Sequence, residues 1–307
     1  MKISVVTPTY NRAYTLYKLY DSLLENKKTY SDFEWIIIDD GSTDDTYTLI
    51  QTWIEDGDID IKYYHQKNSG KMKALNNVMK FVESDLVIEM DSDDYLVDDA
   101  FSTIYKDYQE IKDDNKVCGL LYLRKINGIE NNRINCPVEK ATLYDLNYIY
   151  NYDLDTTLVF KTDIRKKYYH ILENNEKFIT EARMYNEMGK NYSFYLKNTE
   201  LTISEYLEDG YTKNITELFK KYPYGYLEYY KEIILLLNKN VLREKVLHIY
   251  KHYILFSYLT GKTKKECINN IPGLKNKLIV TLLVIPGYIK SKKVMSKWKK
   301  YFLLLIA

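Results

Sequence analysis

Apolar residues in the first hundred positions follow two alternating rhythms. Short unbroken runs at ISVVT (3–7), EWIIID (34–39), IKYYHQ (61–66) and DLVIEM (85–90) have the length of buried strands. Between them, TLYKLYDSLLEN (15–26) repeats leucine at 16, 19 and 23, and DDTYTLIQTWIED (44–56) opens on Asp44 as a candidate N-cap. KMKALNNVMKFVES (71–84) continues the helical spacing. Strands alternating with helices predict a parallel sheet covered on both faces, with ligands gathering at the carboxyl ends of the strands. A helix over 98–111 follows, then strand patterns at CGLLYLRK (118–125) and TTLVFK (156–161). After about residue 213 the spacing is helical over 214–260 and 263–270, and Tyr, Lys and Leu dominate. The expected division is therefore an α/β domain over 1–212, with halves meeting near residue 100, and a helical region over 213–307.

This frame sorts the polar residues. Thr7, Asp39, Asp40 and the cluster Asp91, Asp93, Asp94 all lie just past strand ends, where an open sheet makes its crevice. In VIEMDSDDYL an apolar run ends directly in three carboxylates. Oxygen ligands of this kind suit Mg2+ or Mn2+, and such a cation would neutralise the like charges. Without one, repulsion raises carboxyl pKa values. The plainer reading is a capping and turn cluster ahead of helix 98–111. Other D-x-D pairs occur at Asp56/Asp58, Asp58/Asp60 and Asp153/Asp155, but no apolar strand precedes them. A calcium loop of the EF-hand type fails, because counting from Asp91 puts Leu96 at the position that needs Gly and Ser102 at the one that needs Glu. An aspartyl-nucleophile phosphatase is disfavoured too, since the first strand ends in Thr7-Pro8-Thr9-Tyr10 without an acidic pair.

The net charge of +1 gives no overall basic bias, so a nucleic-acid partner is not expected. Tyrosine (33) far exceeds phenylalanine (9), a bias that fits an AT-rich coding sequence, although tyrosine also offers a platform for sugar rings. Cys118, Cys136 and Cys267 have no metal-type spacing and cannot all pair, which suits a reducing compartment. The first apolar run breaks after four residues at Thr7-Pro8, too short for a signal segment, so a cytoplasmic start is expected.

Four motifs in register carry a resemblance: TPTYNR (7–12), IIIDDGSTDDT (36–46), KNSGKMKALN (67–76) and EMDSDDYL (89–96). Together they resemble the family 2 glycosyltransferases, closely over about the first 100 residues and more loosely to about 215. The resemblance implies a GT-A-type, Rossmann-like mixed sheet flanked by helices, and an inverting transfer from a nucleotide sugar, UDP foremost. It implies that Thr7, Pro8 and Tyr10 border the base and that Asp40, beside Asp39, hydrogen-bonds a uracil-type ring. An aromatic ring, a proline and a carboxylate facing a pyrimidine imide suit that role. Asp39 or Asp40 could instead cap the turn at Gly41.

By the same resemblance, the segment carrying Asn68, Gly70, Lys71 and Asn76 runs under the diphosphate, Lys71 supplying the cation. Relatives often have His after that lysine, where this chain has Met72. Lys71 and Lys73 could also be a solvated helix start. Asp91 would lie near the ribose and Asp93 would ligate Mn2+ or Mg2+, with Asp94 or water completing the set. The catalytic base is expected at Glu181 in NEKFITEARMYNEMGKNYSFYL (175–196), with Glu187 as rival and a helix N-terminal charge as the alternative. Many relatives carry an acidic pair there; here Ala182 follows. Asp153 and Asp155 could reach the donor sugar. SEYLEDGYT (204–212) resembles a segment of the capsule and cell-surface branch, implying a polysaccharide or lipid-linked glycan acceptor. A non-catalytic sugar-nucleotide or glycan-binding scaffold and a nucleotidyltransferase are the alternatives.

His248 and His252 stand four apart without an acidic third ligand, and read as structural. From Leu274 to Ala307 there are eight lysines and no acid; against the total of +1, this leaves about −7 elsewhere. LIVTLLVIPGYI (278–289) is too short to span a bilayer. With Trp298 and Tyr301 nearby, the 274–307 tail is expected to lie on the cytoplasmic face of a membrane or, alternatively, to pack in a homodimer.

Overall fold

The structure, a computed structural model, describes residues 1–126, 133–204 and 211–294. Two compact units result, Met1–His170 with Glu181–Leu207, and Ile171–Thr180 with Glu208–Ala307. The second unit thus takes in ten residues from the middle of the chain as well as the C-terminal region.

In chain order the first unit contains β1 (Ile3–Thr9), α1 (Ala13–Lys27), β2 (Phe33–Asp39), α2 (Thr46–Asp56), β3 (Ile61–His65), α3 (Lys71–Val78), β4 (Leu86–Glu89), β5 (Asp94–Leu96) and α4 (Ala100–Ile111). It continues with β6 (Val117–Ile126), β7 (Lys140–Ala141), α5 (Leu143–Tyr148), β8 (Thr156–Lys161), α6 (Thr162–Arg165), α7 (Ala182–Gly189) and β9 (Ser193–Ser204). The strands form one mixed sheet in the order β3-β2-β1-β4-β8-β6-β9-β5, with β7 also paired to β9. β3, β2, β1 and β4 run parallel, β8 is antiparallel to β4, and β6 and β9 are parallel to each other. This is the expected α/β mixed sheet flanked by helices.

Apolar runs became strands because both sheet faces are covered. Val5, Ile37 and Ile88 are buried on one side beneath Leu16, Leu19 and Leu23 of α1. Trp53 of α2 stacks on Tyr20 of α1 at 4.3 Å, and both lie near Trp35 of β2. β1 runs two residues past the expected end, through Pro8. Pairing with β4 has stopped by Val6, so the missing N–H breaks no ladder on that side. At the opposite end of the sheet, buried Glu34 receives Lys2 (2.6 Å), Lys62 (2.7 Å) and the Ser4 hydroxyl (2.6 Å).

Three local expectations are corrected. Asp44 is not the N-cap of α2; it stands one residue earlier, where its carboxylate accepts from the Thr46 N–H (3.1 Å) and the Ala13 N–H (3.2 Å). The helix expected over 71–84 stops at Val78, tightens into a 3-10 turn over Met79–Phe81 and turns extended at Val82. β5 was not expected at all, since three residues carry no periodicity and its partner Ser204 lies 110 residues on.

The second unit contains α8 (Tyr211–Lys221), α9 (Pro223–Leu236), α10 (Arg243–Leu259), α11 (Lys264–Asn269) and α12 (Leu274–Val294). Its interior is aromatic: Tyr226 stacks on Phe256 at 5.1 Å, Tyr230 on Phe256 at 5.6 Å and on His252 at 5.1 Å. Burial, and next to it His248, hold the His252 pKa down to about 4. Part of the tyrosine excess is therefore core. Thr263 and Glu266 form a capping box that starts α11. On α12, Val280 and Val284 are buried while Leu274, Leu278 and Leu282 are exposed, each one turn from the next. Among the described residues no helix is long and apolar enough to cross a membrane. Most of SEYLEDGYT, and the tail beyond Val294, lie outside the described residues.

Candidate functional site

Register brings the polar strand ends to one edge. Thr9, Asp39 and His65 share a row across β1, β2 and β3, and β4 ends at Glu89 beside Val6, delivering the acidic turn to the same edge. The loops there are tied together. Asn11 accepts from the Thr43 N–H (2.7 Å), and its own N–H donates to the Ser42 hydroxyl (2.9 Å). Gly41, at φ +86°, lies so close to the next loop that a Cβ would stand 2.9 Å from the Asn68 nitrogen.

The expected base-slot residues fall into different roles. Tyr10 is exposed at the mouth of the edge, and Pro8 beside it is buried in β1. Thr7 is fully buried, and its hydroxyl accepts from the Trp35 indole N–H at 2.9 Å. Asp39 makes the contacts of the turn alternative, one oxygen accepting from the Ser42 N–H (2.8 Å) and the other from the Tyr63 hydroxyl (2.7 Å). Asp40 accepts from the Gln66 amide and the N–H groups of Ser69 and Gly70, each at 2.7 Å, and so shapes the loop that leads into α3.

At the start of α3, Lys71 bridges two carboxylates, Asp91 at 2.5 Å and Glu181 at 2.7 Å. Burial alone would lower the Lys71 pKa, but the two acids outweigh it and hold the pKa well above the ordinary lysine value. For Asp91, burial pushes upward and Lys71, then Arg124, pull harder, leaving its pKa low. Asp93 has no such partner, and burial plus the Asp91 charge raise its pKa. Asp94 is nearly enclosed; burial raises its pKa to about 7 against the pull of Arg124, 3.1 Å away, and of the Ser204 hydroxyl at 2.5 Å. The Asp94 N–H donates to the Asp91 carbonyl at 3.1 Å, closing a tight turn over Ser92 and Asp93.

Glu181 occupies the N-cap position of α7 but makes no side-chain capping bond there, its carboxylate going to Lys71 instead. The rival Glu187 is exposed and pairs with Lys190 on its own helix. Asp153 accepts from the Asn147 amide at 2.8 Å, and the Asp155 charge is felt by Arg124.

Asn76, expected beneath the diphosphate, is held by a contact within the protein. Its amide clamps the backbone of His170, donating to the carbonyl at 2.8 Å and accepting from the N–H at 2.9 Å. Beside it lies a pair that sequence reasoning missed, fully buried Arg165 against Glu89 at 2.7 Å. Arg165 also donates to the Tyr168 carbonyl at 2.6 Å. Burial raises the Glu89 pKa despite Arg165, and burial with Arg165 lowers that of His170 to about 3. The signal for Glu89 was present, a charge inside the β4 run; for Arg165 there was none.

Residues 4–163 match the family model described as glycosyl transferase family 2. The chain belongs to this family. Among family relatives, the poly(ribitol-phosphate) beta-N-acetylglucosaminyltransferase TarS of Staphylococcus aureus is 26% identical over 172 residues, 54% of this chain. The match covers 28% of that protein, so the chain is similar to a minor part of it. In fold, a crystal structure of S. aureus TarS 1–349 with UDP-GlcNAc aligns at TM-score 0.59 and 17% identity, over 97% of this chain and 92% of that one. A mannosyltransferase from Pyrobaculum calidifontis, solved with GDP-Man and Mn2+, aligns at TM-score 0.56 and 14% identity, over 99% and 84%. The family 2 sheet is thus the GT-A-like one.

Proposed function

We propose that the chain is a metal-assisted, inverting glycosyltransferase that moves a sugar from a UDP-sugar to a hydroxyl of a cell-surface polymer or lipid-linked glycan. The observation that carries this reading is the Lys71 bridge between Asp91 and Glu181 at the carboxyl ends of the strands. An ammonium held by two carboxylates is ready to be drawn to a third, stronger anion. When a diphosphate enters, Lys71 can turn to its oxygens, and Glu181 is left as a free carboxylate at hydrogen-bonding reach of the site. There it takes the proton of the acceptor hydroxyl as that oxygen attacks the anomeric carbon.

The donor set suits a divalent cation completed by substrate. Mg2+ and Mn2+ sites commonly use one or two carboxylates plus phosphate oxygens, and Asp93, with Asp91, offers that number. Among the described residues no group of three or more acidic, His or Cys side chains is placed to hold a metal by itself. When bound, the cation would neutralise charge on the departing diphosphate. The UDP donor and polymer acceptor are supported by the similarity to TarS, and Mn2+ by the mannosyltransferase. Peripheral membrane contact is supported by the exposed leucines of α12 and the lysines around them.

The test is release of nucleoside diphosphate from UDP-, GDP- and dTDP-sugars, with Mn2+ or with chelator. UDP-sugar should be cleaved slowly without acceptor, chelator and Asp93→Ala should abolish release, and Glu181→Gln should reduce it about 10²–10⁴-fold. Release indifferent to both substitutions would overturn the assignment. Donor binding without turnover, even when acceptor polymer is supplied, would favour the scaffold reading.

A further inference from the structure

We propose that Gln66 is a specificity-determining residue: by filling one oxygen of Asp40 it leaves the base site able to pair with a single N–H, so that uracil and thymine are accepted and guanine is refused. The inference rests on the reading of the donor as a UDP-sugar, with Asp40 meeting its base.

The contact is built into the sheet. Asp40 and Gln66 directly follow β2 and β3, and backbone bonding continues through them, the Asp40 N–H donating to the Thr9 carbonyl at 2.8 Å and the Gln66 N–H to the Asp39 carbonyl at 2.9 Å. Asp40 is buried, and a carboxylate only accepts, so Gln66 presents the amino side of its amide to Oδ1, at 2.7 Å. The carbonyl side of that amide accepts from the Asn77 amide of α3 at 2.7 Å. Gln66 is thereby fixed in one orientation.

The two oxygens of Asp40 are left unequal. Oδ1 also accepts from the Ser69 N–H at 2.7 Å, which fills both of its lone pairs, whereas among the described residues Oδ2 accepts only from the Gly70 N–H, at 2.7 Å. One lone pair remains. Uracil and thymine offer one donor, N3–H, between two carbonyls, and the donors gathered on Oδ1 offset the repulsion between the carboxylate and the nearer carbonyl. Guanine offers two adjacent donors, N1–H and its amino group, which match a carboxylate only when both oxygens are open. In the buried surroundings of Asp40 the second donor would be left unpaired, at a cost of about tenfold or more in affinity. Cytosine turns an acceptor, N3, to the same edge and is refused as well.

The experiment is calorimetry of the full chain, in one Mn2+ buffer, with UDP, dTDP, GDP and inosine diphosphate, whose base has the size of guanine but lacks the amino group. The unaltered chain should bind UDP and dTDP within about tenfold of each other, and inosine diphosphate about tenfold or more tighter than GDP. In Gln66→Ala, which reopens Oδ1 and makes room for an amino group, GDP should gain affinity until it matches inosine diphosphate. A merely structural role would weaken every nucleotide together and could not strengthen one. Equal binding of the two purine nucleotides by the unaltered chain, no detectable binding of either, or a gap in Gln66→Ala as wide as before would overturn the inference while leaving the UDP reading standing. GDP held more tightly than UDP by the unaltered chain, or UDP held undiminished by Asp40→Ala, would instead remove the reading of the base site on which the inference rests. Should Gln66→Ala not fold, Asn77→Ala decides, because Asn77 is exposed on α3 and its loss frees the Gln66 amide to turn. A gap between the purine nucleotides narrowed severalfold supports the inference, and an unchanged gap rejects it.

Discussion

Lys71 is the charged residue on which the resting site turns. Between Asp91 and Glu181 it neutralises two carboxylates that would otherwise repel each other at the edge of a sheet. Other charged or ionisable residues are held in one state. His170 and His252 are buried neutral, with pKa values lowered by burial to about 3 and about 4. In the unfolded chain both would protonate near the usual value of about 6.5. The unfolded state then binds more protons, so stability is complete above about pH 6.5 and is lost as pH falls towards 4. Replacing His252 by Phe should remove part of that acid sensitivity, about 1–3 kcal/mol between pH 6.5 and 4, measured as urea midpoints across pH. Glu34 behaves in the same direction, because its pKa, raised by burial but lowered further by Lys2 and Lys62, ends below the ordinary value. Its stabilisation is present above about pH 4.3 and fades as pH drops below. Glu34→Gln should therefore cost about 1–2 kcal/mol at pH 7, discounted for the half-exposed lysines, and much less at pH 3.

Among the elements, α3 has the most to hold, with Lys71 at its first residue and Asn76 on the next turn closing on His170. Asn76→Ala removes both partners of a buried residue's backbone and should lower unfolding free energy by about 1–3 kcal/mol in urea melts. Asn76→Asp, which keeps the acceptor, should recover part of the loss. The element pattern shows what a sequence can disclose. β1, β2, β4 and β8 were legible as apolar runs because they are buried nearly throughout, and α1 because its leucines repeat on one buried face; β3 was legible from its β-rich run although it is only half-buried. β5 was not, since its three residues become a strand only by pairing with Thr202–Ser204. Asp91 and Glu181 were singled out individually, but no spacing encodes that one lysine joins residues 90 positions apart. Nor does any spacing encode that Asn76 closes on a backbone 94 residues away.

At the scale of the whole molecule, charge is distributed unevenly, basic in the last 34 residues and acidic before them. Leu274, Leu278 and Leu282 add an apolar stripe on α12 beside Lys275 and Lys277. The full chain should sediment with vesicles containing anionic lipid and not with zwitterionic ones. Binding should weaken between 0.1 and 0.5 M salt, on the order of 1 kcal/mol being at stake for each lysine near the surface. Leu278→Ser should weaken it further; salt-independent self-association without vesicle binding would point to a homodimer instead. The join of Asp94 to Ser204 has a consequence for synthesis. A ribosome must extend the chain 110 residues past Asp94 before the strand that pins the acidic turn exists. A nascent chain halted short of residue 204 holds all four family motifs, and Arg124 beside Asp94, yet lacks the β9 partner of its acidic turn. The full set of contacts on the acidic turn thus arrives late in translation.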